Sequence, residues 1–180
     1  MTQFPTSLVA SPKTRHARVS EFATSEMFRK LFREGMDLVE ETAAYLDGPG
    51  RDDAKRLGRT GALGYAAESM ALTTRLMQAA SWLLTQRAVG EDEMNPEEVS
   101  HEKYRLPVLK ATPINWPAGD DPCPPRLNDL VERSRTLYER LSRMDDSLFK
   151  IAPDAPAQEE NPLASQWSAL ESAFTRPGHA

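Results

Sequence analysis

LGRTGALGYAAESMALTTRLMQAASWLLTQRAV, residues 57–89, contains no proline and one recurring apolar pattern. Leu63, Ala66, Met70, Thr73, Met77, Ala80 and Leu84 follow alternating three- and four-residue steps, which places them on one stripe of a helix. Tyr65, Ser69, Leu72, Leu76, Ala79 and Leu83 form a second stripe with the same steps. At roughly 100° per residue the two stripes lie side by side as an apolar arc of roughly 160°. A helix with one neighbour needs a narrower face, so this helix is expected at the centre of an all-α fold. Glu68, Arg75 and Gln78 mark its wet side. It carries no chemistry, and the function must be sought elsewhere.

Gly58, Gly61 and Gly64 recur every third residue at the start of this stretch. Interior glycines cost a helix roughly 1 kcal/mol each relative to alanine. Close approach of another backbone compensates, either within the fold or across a dimer. The Gly58, Gly61, Gly64 and Ala67 edge is therefore the expected dimer contact. A phosphate loop is the sharper alternative, but the Gly-Lys-Ser/Thr ending of that motif is missing.

Upstream, Phe22, Phe28, Leu31, Phe32, Leu38, Val39, Thr42, Tyr45 and Leu46 repeat at helical spacing, predicting helix one over residues 20–46. Ser20 or Ser25 caps its start, and Glu21 or Glu26 then suits the positive end of the dipole. Asp47-Gly48-Pro49-Gly50 is a strong stop. So short a turn folds helix two, residues 53–89 with Asp52 or Asp53 as cap, back antiparallel.

Residues 90–124 form a long connection that begins acidic, with Glu91, Asp92, Glu93, Glu97, Glu98 and Glu102. Pro96 opens a short helical turn over Pro96–Ser100. Pro107, Pro113 and Pro117 keep the rest extended, and Leu109, Ile114 and Trp116 are the apolar residues able to pin it. Crossing the length of the fold to bring helix three back accounts for its length. Helix three, residues 125–149, opens at Pro124-Pro125. Leu127, Leu130, Val131, Ser134, Leu137, Tyr138, Leu141, Met144 and Leu148 make one narrow stripe, and Glu132, Arg133, Arg135, Glu139, Arg140 and Arg143 lie opposite. The sum is an antiparallel three-helix bundle over residues 20–151.

Residues 1–19 read as a flexible N-terminal arm with a basic cluster at Lys13, Arg15, His16 and Arg18. Residues 152–180 read as a flexible C-terminal tail. Within it Leu163, Trp167, Leu170 and Phe174 fall on one face of a short amphipathic helix, residues 163–174. A helix this short is marginal alone in water and needs a groove. It docks either on its own bundle or, as a partner-binding motif, in the groove of another protein.

Composition narrows the function classes. The chain has 180 residues, enough for one domain plus tails. Its net charge of −5 argues against a general nucleic-acid binder. The arginines of helix three keep one alternative open, a small DNA-associated transcription regulator. A single cysteine, Cys123, excludes an internal disulfide and fits a reducing compartment. No run of about 18 apolar residues is free of charge, so no membrane span is expected. Phe4, Leu8 and Val9 are broken up by Pro5, Thr6, Ser7 and Pro12, which is no signal-peptide core. A cytoplasmic protein is expected.

Di-iron bundles use two Glu-x-x-His motifs on long helices. Here Glu98-Val99-Ser100-His101 is a single match, in the connection. Cys123 sits between prolines with no histidine placed beside it. No catalytic residue, no metal site and no cofactor are expected, so the chain is read as a non-enzyme.

MFRKLFREGMDLVEETAAYLDGPGR (residues 27–51), LGRTGALGYAAESMALTTRLMQAASWLLTQRAVGEDEM (57–94) and, more loosely, LNDLVERSRTLYERL (127–141) resemble the alphaproteobacterial family that includes RcdA, the regulator of CtrA degradation. The likeness covers about two-thirds of the chain and lies in packing sequences rather than a site motif. It implies a compact three-helix bundle that forms a homodimer. It also implies a non-enzymatic adaptor for the ClpXP protease (ClpX with ClpP), working with a CpdR-like priming factor and, in some lineages, a PopA-like cyclic-di-GMP receptor. CtrA-like cell-cycle regulators are the implied substrates. The physical logic is tethering, which raises the substrate's effective concentration at the protease without new chemistry.

Overall fold

The structure is a computed structural model that describes residues 15–109, 116–117 and 121–150. The chain divides after Phe149, and the part up to that residue is described below. The described residues are all-α: α1 Arg15–Thr24, α2 Glu26–Asp47, α3 Pro49–Arg56, α4 Arg59–Gly90, α5 Pro96–Val99 and α6 Pro125–Phe149, with a 3₁₀ turn at Glu102–Tyr104. Among them no helix is long and apolar enough to cross a membrane.

Helix one is two helices. Ser25 stands in extended backbone, and its hydroxyl accepts the Phe28 N–H at 3.1 Å while donating to the Phe22 carbonyl at 2.7 Å. One side chain thus caps the start of α2 and finishes α1. Glu26 occupies the first turn of α2, the favourable end of the dipole. α1 also begins earlier than expected. Residues 15–19, read from sequence as part of the flexible arm, are helical, because Val19, Phe22 and Ala23 share one buried face.

The stop at Gly48 is present, and Pro49 at once opens α3 as its first residue. The expected caps Asp52 and Asp53 therefore lie inside α3. Asp53 accepts the Tyr45 hydroxyl at 2.9 Å. α4 starts later, at Arg59, with Gly58 as its N-cap. The chain does fold back, as Gly35 of α2 lies against Leu83 of α4 while Tyr45 neighbours Tyr65. α2 and α4 are antiparallel.

α6 behaves differently. Arg75 reaches Ser134, Gln78 meets Tyr138 and Trp82 meets Asp145. Partner numbers rise together, so α6 runs parallel to α4. The connection returns along α4 before α6 begins, so α6 is antiparallel to α2, whose Glu41 and Glu34 meet Arg133 and Arg140 in turn. Its route is marked by Leu106 and Leu109 against the core, then by Trp116 and Asp121 at the start of α4. Asn95 caps the short α5 by accepting the Glu97 N–H at 2.9 Å, with Pro96 in the first turn.

α4 is the hub and packs on α1, α2 and α6. Leu72, Leu76, Ala79, Trp82 and Leu83 meet Leu31 and Leu38 of α2, and Leu130, Leu137 and Leu141 of α6, in one apolar core. Gly90 is needed where α4 passes under the end of α1: a Cβ there would stand 2.7 Å from the Ala23 carbonyl oxygen. That neighbour is backbone and cannot swing aside. Gly90→Ala should therefore lower stability by about 1–3 kcal/mol, the range for overpacking, and thermal unfolding of the two proteins checks it.

Candidate interaction surfaces

The two stripes of α4 part company in the structure. Tyr65, Leu72, Leu76, Ala79 and Leu83 are buried, but Leu63, Met70, Met77 and Leu84 are 68%, 71%, 68% and 51% exposed. The expectation of one continuous buried arc is thus corrected. The wet side also moves. Glu68 is buried, Arg75 and Gln78 are half-buried, and the last two reach α6. Burial raises the Glu68 carboxyl above its ordinary value, against the pull of Arg135 and Arg75. Arg75 donates to the Ser134 hydroxyl at 2.8 Å, and that hydroxyl in turn donates a hydrogen bond to the Val131 carbonyl at 2.7 Å.

The close approach expected at the glycines is met within the chain. The Gly58 N–H donates to the Asp121 carboxylate at 2.8 Å. A Cβ on Gly61 would also crowd Asp121, and one on Gly64 would stand 2.8 Å from the Pro117 ring. Trp116 fixes this segment by donating to the Asp121 carbonyl at 2.7 Å. Of the four residues proposed for a dimer contact, Gly58 and Ala67 are exposed, Ala67 beside the Leu63–Leu84 stripe, while Gly61 is buried and Gly64 half-buried. Leu163, Trp167, Leu170 and Phe174 lie outside the described residues.

Asp145 is a node that the sequence reading missed. It is 3% exposed. It accepts the Trp82 indole N–H at 2.9 Å, two contacts from Arg105 Nε at 3.0 and 2.9 Å, and Arg105 Nη2 at 2.7 Å. The Leu106 N–H adds a longer contact at 3.4 Å. Arg105 also lies over the Phe149 ring, 4.8 Å from its centroid. Nearby, the Tyr138 hydroxyl donates to the Pro107 carbonyl at 2.6 Å. Burial pushes that phenol up to about 12, so it remains a donor across ordinary pH. The connection is thus latched to α4 and α6 by charge-assisted bonds.

The basic side of α6 is largely engaged by acids. Arg133 pairs with Glu41 at 2.8 Å and with Asp129 at 3.2 Å, and Arg140 holds Glu34 at 2.6 and 2.8 Å. Those arginines bridge α6 to α2, which weighs against a DNA-binding face. Cys123 is half-buried, and its thiol is pushed up first by burial and then by Glu68. Its thiolate fraction near neutral pH is therefore low, and alkylation by iodoacetamide should run at least about threefold slower than for free cysteine. Reaction at the free-cysteine rate, followed by mass spectrometry, would contradict that placement. Among the described residues no group of three or more His, Cys, Asp or Glu side chains is arranged to hold a metal ion.

These features describe an all-α protein whose candidate sites are surfaces. A family model described as "Protein of unknown function (DUF1465)" matches residues 19–174. The crystal structure of RcdA from Caulobacter crescentus CB15 is similar at 51% sequence identity, over 72% of this chain and 97% of that one, with a TM-score of 0.60. The chain belongs to this family, the RcdA family of the sequence resemblance. No curated protein sequence matches it.

Proposed function

We propose that the chain is a non-enzymatic adaptor that tethers cell-cycle regulatory substrates to the ClpXP protease in the cytoplasm. The observation that carries this reading is the 51% identity to RcdA across nearly the whole of that crystallised chain. The partners that follow are ClpX with ClpP, a CpdR-like priming factor, CtrA-like substrates and a PopA-like receptor. The three long helices α2, α4 and α6 serve as a bundle scaffold, and the segment with Leu163, Trp167, Leu170 and Phe174 serves as the partner-binding motif.

The adaptor acts as a homodimer. The exposed stripe of α4 supports this, because Leu63, Met70, Met77 and Leu84 read the same in both directions, with small residues between them. Antiparallel pairing of two copies sets Leu63 against Leu84 and Met70 against Met77, with a two-fold axis between Thr73 and Thr74. Such an isologous contact needs a self-complementary surface, and an apolar stripe of this length is unusual on a monomer.

A degradation assay with purified ClpXP and its priming factor tests the reading. Addition of the full chain should speed turnover of a CtrA-like substrate, and no acceleration of any cell-cycle substrate would end it. Trp167→Ala with Leu170→Ala should weaken delivery while leaving the melting temperature nearly unchanged. A large drop in melting temperature would place that segment in the core instead.

A further inference from the structure

A cleft of 620 Å³ opens where three helix ends meet: the last turn of α1, the first two turns of α2 and the last turn of α4. It exists because Ser25 breaks the chain between α1 and α2, and because Gly90 lets α4 end directly beneath Ala23. Its volume lies within the range of ligand-sized sites, about 300–1,000 Å³. Phe28 and Phe32 supply the apolar floor, their ring centroids 6.0 Å apart. Arg29, Arg33 and Arg87 stand around it, and the Arg87 guanidinium lies 5.2 Å from the Phe32 ring centroid.

The charges around the cleft are unbalanced. Arg87 has its own partner, Glu91, at 2.8 Å. Arg29 and Arg33 share a single carboxylate, that of Glu26, at 3.2 and 3.9 Å. Each guanidinium offers five N–H donors in a planar fork. Two guanidiniums on one carboxylate leave more donors than that carboxylate can take and one positive charge in excess beside the aromatic floor.

We infer that this cleft binds an acidic linear peptide segment of a partner protein, its carboxylates on Arg29 and Arg33 and an aromatic or leucyl side chain against the half-buried Phe32. The chemistry is that of acidic-motif recognition by an arginine cluster. Glu26 is the built-in competitor that the incoming carboxylate displaces. The inference stands on the cleft itself and holds whether or not the chain works with a protease.

The test uses the full chain and a blocked hexapeptide, Asp-Glu-Phe-Leu-Asp-Glu, followed by titration calorimetry. A second peptide replaces every acid with lysine. The acidic peptide should bind and the lysine peptide should not, and the affinity should fall as salt rises because the pairs are exposed. Arg29→Glu with Arg33→Glu should weaken binding at least about tenfold, the scale of a lost charge-assisted pair. Glu26→Gln should strengthen it a few-fold by freeing both guanidiniums. Arg143→Glu on α6, a charge change of the same kind outside the cleft, should leave it unaltered. These side chains are exposed, so all three variants should keep the helical signal of the parent. Equal binding of the two peptides would overturn the inference. So would unchanged affinity in the double variant, or no binding of the acidic peptide at all.

Discussion

Asp145→Ala should be the most damaging single substitution in the described fold, lowering unfolding free energy by about 3–5 kcal/mol, the range for breaking a buried ion pair. The carboxylate is 3% exposed and joins three segments: Trp82 in α4, Arg105 and Leu106 in the connection, and α6 itself. Removing it leaves the Trp82 indole N–H without its acceptor and the Arg105 guanidinium, only 22% exposed, with no carboxylate nearer than Asp146 at 3.9 Å. Neither group can recover bulk water without opening the fold. For a chain of this size the melting temperature should fall by roughly 6–20 °C, at 2–4 °C per kcal/mol. Urea unfolding of both proteins gives the free energy. Asp145→Asn is the informative companion, because it keeps an acceptor for Trp82 and removes only the charge. A loss below about 1 kcal/mol in the alanine variant, the scale of an exposed pair, would show that the latch is dispensable.

The second large effect concerns association. Met70→Asp with Met77→Asp should raise the dimer dissociation constant at least about 100-fold. In the antiparallel pairing proposed above, Met70 of one copy would face Met77 of the other, so two substitutions would set four carboxylates around the two-fold axis. Like charges brought together at an interface cost several kcal/mol, and every 1.4 kcal/mol is tenfold. The fold of the protomer should be untouched, since both side chains are about seventy per cent exposed in it. Sedimentation equilibrium over a concentration series reads the result. A double variant that stays dimeric would move the contact off this stripe. Gly64→Leu gives an independent contrast. Its side chain would push against Pro117 and Trp116, so it should lower stability rather than change the mass in solution.

How much of this could be read from residues alone varies with the element. α6 is legible as an amphipathic helix, because most of its buried residues repeat at helical spacing and its other face is charged. Leu127, Leu130, Val131, Ser134, Leu137, Tyr138, Leu141 and Leu148 are buried as expected, while Met144 of the same stripe is half-buried. α4 was legible as a helix but not in its orientation. Both of its stripes are apolar, and periodicity alone cannot say which one a protomer covers. Glu68 compounds the ambiguity, since an acid normally marks the outer face and here lies within the fold. The division at Ser25 had a visible signal, a serine followed by an acid between phenylalanines. The apolar repeat, which continues through it, outweighs that signal and favours an unbroken helix. The Asp145 node had no signal at all. Its partners lie 40 and 63 residues away, and neighbouring Asp146 looks identical in sequence. The cleft was equally hidden, being assembled from three helix ends that only tertiary packing brings together.

The parallel course of α4 and α6 also dictates an order of assembly. α1 to α4 are joined by short turns and all precede α6 in the chain, so their mutual contacts can form before α6 has been made. The pairs that hold α6, Arg75–Ser134 and Trp82–Asp145, are separated by 59 and 63 residues. They cannot form until the connection has been laid back along α4 and α6 has been made. During synthesis from the N-terminus, a helical hairpin therefore waits with the Arg75–Gln78–Trp82 side of its longest helix uncovered. The exposed Leu63–Leu84 stripe stands beside it on the same helix. For that interval the nascent chain presents two bare faces where the finished protomer presents one, which makes the arrival of α6 the step that separates productive folding from aggregation.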